Sequence, residues 1–87
     1  MYGITTKNKR AEKQFQYYLK IRQSIQEALN RLKEDPRNAC GAHKLHGHLE
    51  GRWSCWLGSN ISMVYWIDDD NQTLVVVTVG THKDAYN

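Results

Sequence analysis

Apolar residues recur along this chain with two different periods. Ala11, Phe15, Tyr18 and Leu19 fall at i, i+4, i+7 and i+8, which sets them on one face of a helix. A second helical stripe follows in Ile21, Ile25, Leu29 and Leu32, with Ala28 beside it. Asp35-Pro36 ends that stripe, because the residue before proline disfavours the helical region and proline cannot continue the hydrogen-bond ladder. No Gly or Pro separates the two stripes, so the pattern leaves open whether they form two helices or one nearly continuous helix around Lys20. After Gly51 the period becomes two. Trp53, Cys55 and Leu57 share one face of a strand, and Arg52, Ser54 and Trp56 share the other. Gly58-Ser59-Asn60 reads as a turn, and Ile61, Met63, Tyr65 and Ile67 then alternate with Ser62, Val64, Trp66 and Asp68. Asp68-Asp69-Asp70-Asn71 makes a second turn. Leu74 to Val79 is almost continuously apolar and predicts a central strand covered on both faces.

Tyr2 to Thr5 reads as a short first strand, and Asn38 to Leu49 as a loop rich in histidine and glycine. The expected architecture is α+β: two N-terminal helices packed on one face of a small, mainly antiparallel sheet. The other face, bearing Arg52, Ser54 and Trp56, is left to form a concave site. With 87 residues and no linker or repeat, the chain reads as a single domain over residues 1–87.

Charge is distributed unevenly. The first thirty-three residues carry eight basic side chains against two acidic ones, the remainder four against seven, which gives +6 and −3. A basic helical half suits a polyanion, either nucleic acid or an acidic protein partner. Cys40 and Cys55 are too few for a disulfide scaffold, and no secretory or transmembrane segment is evident, so a cytoplasmic protein with reduced thiols is expected.

The candidate chemistry lies in three segments. His82 follows the apolar strand after Gly80, and a histidine there can give or take a proton near neutral pH, as RNA cleavage requires. His43, His46 and His48 form an H-x-x-H-x-H cluster near Cys40. Zinc spacings pair ligands from two separate segments, and no second pair exists, so no metal is assigned. Lys44, Arg52 and Lys83 are candidates to hold phosphate. Trp56 either stacks a base or covers a thin sheet.

Three segments together resemble the RelE/YafQ branch of the RelE/ParE superfamily, bacterial toxins of type II toxin-antitoxin systems. They are Lys44 to Cys55, Met63 to Asp68, and Gly80-Thr81-His82-Lys83-Asp84-Ala85-Tyr86. The resemblance implies the RelE-like microbial ribonuclease fold and a ribosome-dependent mRNA endonuclease, working in the A site of the 30S subunit without cofactor or metal. By the Gly-Thr-His-x-x-x-Tyr/Phe ending it implies that His82 is catalytic and that the Tyr86 ring lies against substrate. His43, two residues before Leu45-His46-Gly47, takes the position of a second acid/base group, while His46 and His48 line the rim or face water. The partners implied are mRNA, the ribosome and a cognate antitoxin, with no membrane.

The chain departs from the pattern at four positions. Ser62 stands where RelE-type sequences place a phosphate-binding arginine, and Trp56, Asn60 and Ile61 replace the histidine, aspartate and tryptophan of the YafQ branch. Serine supplies no cationic fork, and asparagine is no carboxylate base. An attenuated toxin and a divergent enzyme using His43, His82 and Arg52 both fit. So do two non-catalytic alternatives, a ParE-like inhibitor of DNA gyrase and a domain that only binds its antitoxin.

Overall fold

A computed structural model describes residues 1–58 and 60–81. In chain order the elements are β1 (Gly3–Thr6), α1 (Lys9–Ile21), α2 (Gln23–Glu34), β2 (His43–Lys44), β3 (Trp53–Gly58), β4 (Ile61–Asp68) and β5 (Thr73–Thr81). They form one five-stranded sheet in the order β1-β5-β4-β3-β2. The β2 to β5 pairings are antiparallel, and β1 alone runs parallel to its neighbour, β5.

Two helices form, and Arg22 separates them in an extended conformation with φ −140° and ψ 110°. The two apolar stripes explain the break. At 100° per residue, a straight helix would turn the second stripe roughly 80° away from the first. One extended residue re-aims it, so Phe15, Tyr18 and Leu19 of α1 and Ile25, Ala28, Leu29 and Leu32 of α2 reach the same core. Ile21, assigned above to the second stripe, instead ends α1 and is half exposed. Asn8 caps α1 by accepting the Ala11 backbone N–H at 2.9 Å.

The helices cover one face of the sheet, where Cys55, Leu57, Ile61, Met63, Tyr65, Leu74, Val76 and Val79 complete the core. Two features of the strands differ from the expected pattern. In β5 the register shifts between its pairs with Val64 and Tyr65, so the core positions run Leu74, Val76 and then Val79. Such a bulge inserts one residue and reverses the alternation beyond it. Val75 and Val77 are only partly buried, so this strand is covered less closely on the far face than on the helix face. The segment expected as a loop over residues 38–49 also contains the edge strand β2 and two short 3-10 turns, Ala39–Gly41 and Gly47–Leu49.

Beyond the end of β1, the outer edge of β5 meets α1 instead. Gln14 accepts the Val79 N–H at 3.2 Å and the Thr78 hydroxyl at 3.1 Å, so one side chain substitutes for a missing strand. At the centre, the fully buried Tyr65 donates its hydroxyl to the Pro36 carbonyl at 2.6 Å. This bond ties β4 to the chain immediately after α2. Removing it by Tyr65→Phe leaves a buried carbonyl unpaired, and urea unfolding should show a loss of about 1–3 kcal/mol.

Burial also raises the Tyr65 phenol and the Cys55 thiol well above their ordinary pKa values of 10.0 and 9.0. The unfolded chain therefore ionises first as pH rises. Stability from these groups is intact below pH 9.0 and declines above that range. Urea midpoints measured at neutral pH and at about pH 10.5 should differ in that direction, with the neutral value higher.

Candidate functional site

Strand register sorts the candidate residues onto two faces. On the face away from the helices, one cross-strand row runs His43, Ser54, Val64, Thr78, and the next runs Trp56, Ser62, Gly80. On the helix side the matching row is Lys44, Trp53, Tyr65, Val76. Successive strand residues point to opposite faces, so His43 and Lys44 are divided by the sheet itself. The Lys44 ammonium lies 5.8 Å from the Trp53 ring centroid, and the Arg37 guanidinium lies 6.0 Å from the same ring.

His43 is exposed but oriented. Its Nδ1 is 3.0 Å from the Gly41 carbonyl oxygen. A carbonyl only accepts, so Nδ1 carries the proton, and in the neutral ring Nε2 keeps a free lone pair. The Gly41 carbonyl is aimed by two consecutive left-handed residues, Cys40 at φ 58° and Gly41 at φ 65°. A non-glycine residue is uncommon in that region. Here the Cys40 Sγ–H donates to the Ala28 carbonyl at 3.3 Å, tethering the turn to α2. Burial raises the pKa of Cys40, so neither cysteine is a ready nucleophile.

Gly41 also contacts the aromatic platform. A Cβ at this position would lie 3.2 Å from Trp56 Cδ1. The indole thus rests against the turn that holds His43, with 42% of its surface left exposed. Two residues before His43, Gly41 was not singled out from the sequence; its left-handed φ and the indole against it are tertiary facts.

Ser62 lies between Trp56 and Gly80 and is only 1% exposed. The family pattern puts Ser62 at the phosphate-binding position; in the structure its side chain is buried in the sheet face. Ile61, where the YafQ pattern has tryptophan, is a core residue, and Asn60 is exposed in the β3–β4 turn. His82, Lys83 and Tyr86 lie outside the described residues.

The remaining cations border a groove of about 360 Å³ where the β2–β3 hairpin ends, lined by Lys44, Leu45, His46, Glu50, Gly51 and Arg52. Arg52 Nε is buried there without a hydrogen-bond partner among the described residues. His46 and His48 are exposed. Among the described residues no group of three His, Cys, Asp or Glu side chains is placed to hold a metal, and no helix is long and apolar enough to cross a membrane.

This arrangement of helices, sheet and hairpin is shared with solved toxins. YafQ from E. coli strain BL21(DE3) superposes with a TM-score of 0.69 over 100% of both chains at 15% identity. A metal-bound toxin from Helicobacter pylori gives 0.71 at 24% identity, covering 97% of this chain and 98% of that one. The toxin of a YoeB-YefM complex from Staphylococcus aureus gives 0.72 at 18% identity, with 94% and 98% covered. A search of curated proteins finds no match. The family model described as ParE toxin of type II toxin-antitoxin system, parDE, matches residues 7–86. The chain therefore belongs to that family of the RelE/ParE superfamily and is the toxin of a type II toxin-antitoxin system.

The contact between Gly41 and Trp56 yields a direct expectation. Gly41→Ala combines a strained φ with a crowded Cβ and should destabilise the protein by about 1–2 kcal/mol. The displaced Trp56 should report the change as a shift in tryptophan emission.

Proposed function

We propose that this toxin is a ribosome-dependent mRNA endonuclease that cleaves by attack of a 2′-hydroxyl on the adjacent phosphate. The observation that carries the reading is the 3.0 Å contact from Nδ1 of the exposed His43 to the Gly41 carbonyl, which leaves Nε2 as the acceptor of the neutral ring, on the sheet face that also bears Trp56. In this mechanism Nε2 takes the 2′-hydroxyl proton as the oxygen attacks phosphorus. The P–O5′ bond breaks, and His82 donates a proton to the departing 5′-oxygen. The products are a 2′,3′-cyclic phosphate and a 5′-hydroxyl, with no metal or cofactor in any step. Trp56 and Tyr86 place bases by stacking. Lys44, Arg52 and Lys83 hold flanking phosphates.

Ser62 sets the level of activity. It leaves the centre of the face without the cation that RelE-type sequences place there, so charge building on the scissile phosphate is less well stabilised. The basic first half of the chain docks on two polyanionic or acidic surfaces in turn, the 30S A site and the cognate antitoxin. An antitoxin partner accords with the YoeB-YefM complex among the structural neighbours. Cytoplasmic action follows from a ribosomal target.

One observation favours a second reading. The buried, uncharged Ser62 and the ParE description of the family fit a toxin that binds a protein such as DNA gyrase and cuts nothing.

Ribosomes programmed with a defined mRNA and analysed by primer extension separate the two. The expected result is a cut in the A-site codon, reduced about 10²- to 10⁴-fold by His43→Ala or His82→Ala and increased by Ser62→Arg, with circular dichroism confirming the fold of each variant. An uncut message from the parent and from Ser62→Arg, with growth arrest and a DNA-damage response in cells, would instead establish the protein-binding reading.

A further inference from the structure

We propose that Cys40 is a positioning residue for His43: its thiol, anchored on the Ala28 carbonyl of α2, holds the Gly41 carbonyl where that carbonyl keeps the ring proton on Nδ1. The role of His43 as a base rests on the endonuclease reading above. The control of its tautomer does not.

A neutral histidine ring free in water prefers its proton on Nε2, the opposite of what a base acting through Nε2 requires. The contact that reverses the preference is the 3.0 Å one from Nδ1 to the Gly41 carbonyl. Among the described residues it is the one hydrogen bond that the exposed ring makes. Such a bond selects a tautomer only if the carbonyl is itself held, and Gly41 is exposed too.

What holds it is the turn. Ala39 N–H donates to the Asp35 carbonyl at 3.0 Å, and Ala42 N–H to the Ala39 carbonyl at 3.0 Å, which fixes the two ends. Between them the Gly41 peptide takes its direction from two left-handed residues, Cys40 at φ 58° and Gly41 at φ 65°. Glycine adopts that conformation freely, but a residue with a Cβ does not. The Cys40 side chain supplies the restraint. Its Sγ–H donates to the Ala28 carbonyl at 3.3 Å, and it packs against the core cluster that contains Ala28 and Cys55. A carbonyl oxygen has two lone pairs, so Ala28 can serve the helix ladder and the thiol together. Burial raises the Cys40 pKa, with Arg31 acting the other way, so the thiol keeps its proton at neutral pH and remains a donor.

The turn is closed from its other side by the indole, since a Cβ on Gly41 would lie 3.2 Å from Trp56 Cδ1. Downstream, the pairing of His43 with Ser54 fixes the start of β2. Only three residues separate the thiol from the imidazole, so a change in the tether passes to the Gly41 carbonyl and from there to the ring.

The test compares the imidazole ¹⁵N shifts of His43 in the parent with those in Cys40→Ser, Cys40→Ala and Cys40→Gly, at a pH where the ring is neutral. Serine keeps a donor and alanine removes it. Glycine removes it while relieving the left-handed backbone, which keeps the test open if the alanine variant fails to fold. Circular dichroism checks each fold. The parent and Cys40→Ser should hold the Nδ1–H tautomer, whereas Cys40→Ala and Cys40→Gly should move about fivefold towards Nε2–H, the ratio one net hydrogen bond sets. An unchanged ring in the folded alanine or glycine variant would overturn the proposal. So would loss of the tautomer in Cys40→Ser, which would make the volume of the sulfur, and not its hydrogen bond, the determinant. The readout does not require cleavage. On programmed ribosomes Cys40→Ala should lower kcat about fivefold and leave KM unchanged. The predicted tautomer shifts in a toxin that leaves mRNA intact would remove the nuclease reading and keep the control of the ring; cleavage with an unchanged ring in every variant would do the reverse.

Discussion

The hydrogen bond from Tyr65 to the Pro36 carbonyl is the constraint on which the rest of this small structure depends. It joins the middle of β4, fully buried, to the point where the chain leaves the helices and heads for the sheet edge. Everything placed between Pro36 and β2 is positioned from that fixed point. Arg37 reaches Asp69 at 2.8 Å and lies over the Trp53 ring, and the Ala39–Gly41 turn is held against α2 by the Cys40 thiol. The exposed Arg37–Asp69 pair adds little stability alone, but it lies at the same junction. A short, neutral, buried bond is a better anchor here than a surface ion pair, because neither partner has water as an alternative.

From that anchor follows the division of labour across β2 and β3. The helix side of the hairpin carries Trp53 and Cys55 towards the core, with the exposed Lys44 at its edge, and the far side carries His43, Ser54 and Trp56. A slip of one residue in this register would exchange His43 for Lys44 and bury the wrong side chains throughout. The two-residue edge strand is too short to fix register through its own ladder. The left-handed Cys40-Gly41 pair on one side and the Leu45–Arg52 backbone bond on the other do so instead.

Much of this fold was legible in the sequence. Leu29 and Leu32 repeat with helical spacing, the meander alternates cleanly, and the Met63-Val64-Tyr65 segment carries the family resemblance. The features that were not legible are those set by tertiary geometry. The helix break at Arg22 has no Gly or Pro to announce it and arises because two stripes out of phase must reach one core. The bulge in β5 hides in a run of valines, where alternation leaves no trace in the letters. At the candidate site, His43 was singled out by position, but its orientation depends on Gly41, whose role appears only when the Trp56 indole packs against it. Ser62 stands at the phosphate-binding position of the family pattern, and its burial shows only in three dimensions, where its strand lies between β3 and β5.

The central claim is that the hairpin and its left-handed turn present His43 as a base with a free Nε2. The imidazole ¹⁵N chemical shifts of His43, read from a long-range ¹H–¹⁵N spectrum at a pH where the ring is neutral, test it most directly. The account predicts the Nδ1–H tautomer, with an Nε2 shift typical of an unprotonated nitrogen. An Nε2–H tautomer, or the averaged shifts of a ring that exchanges freely, would contradict it.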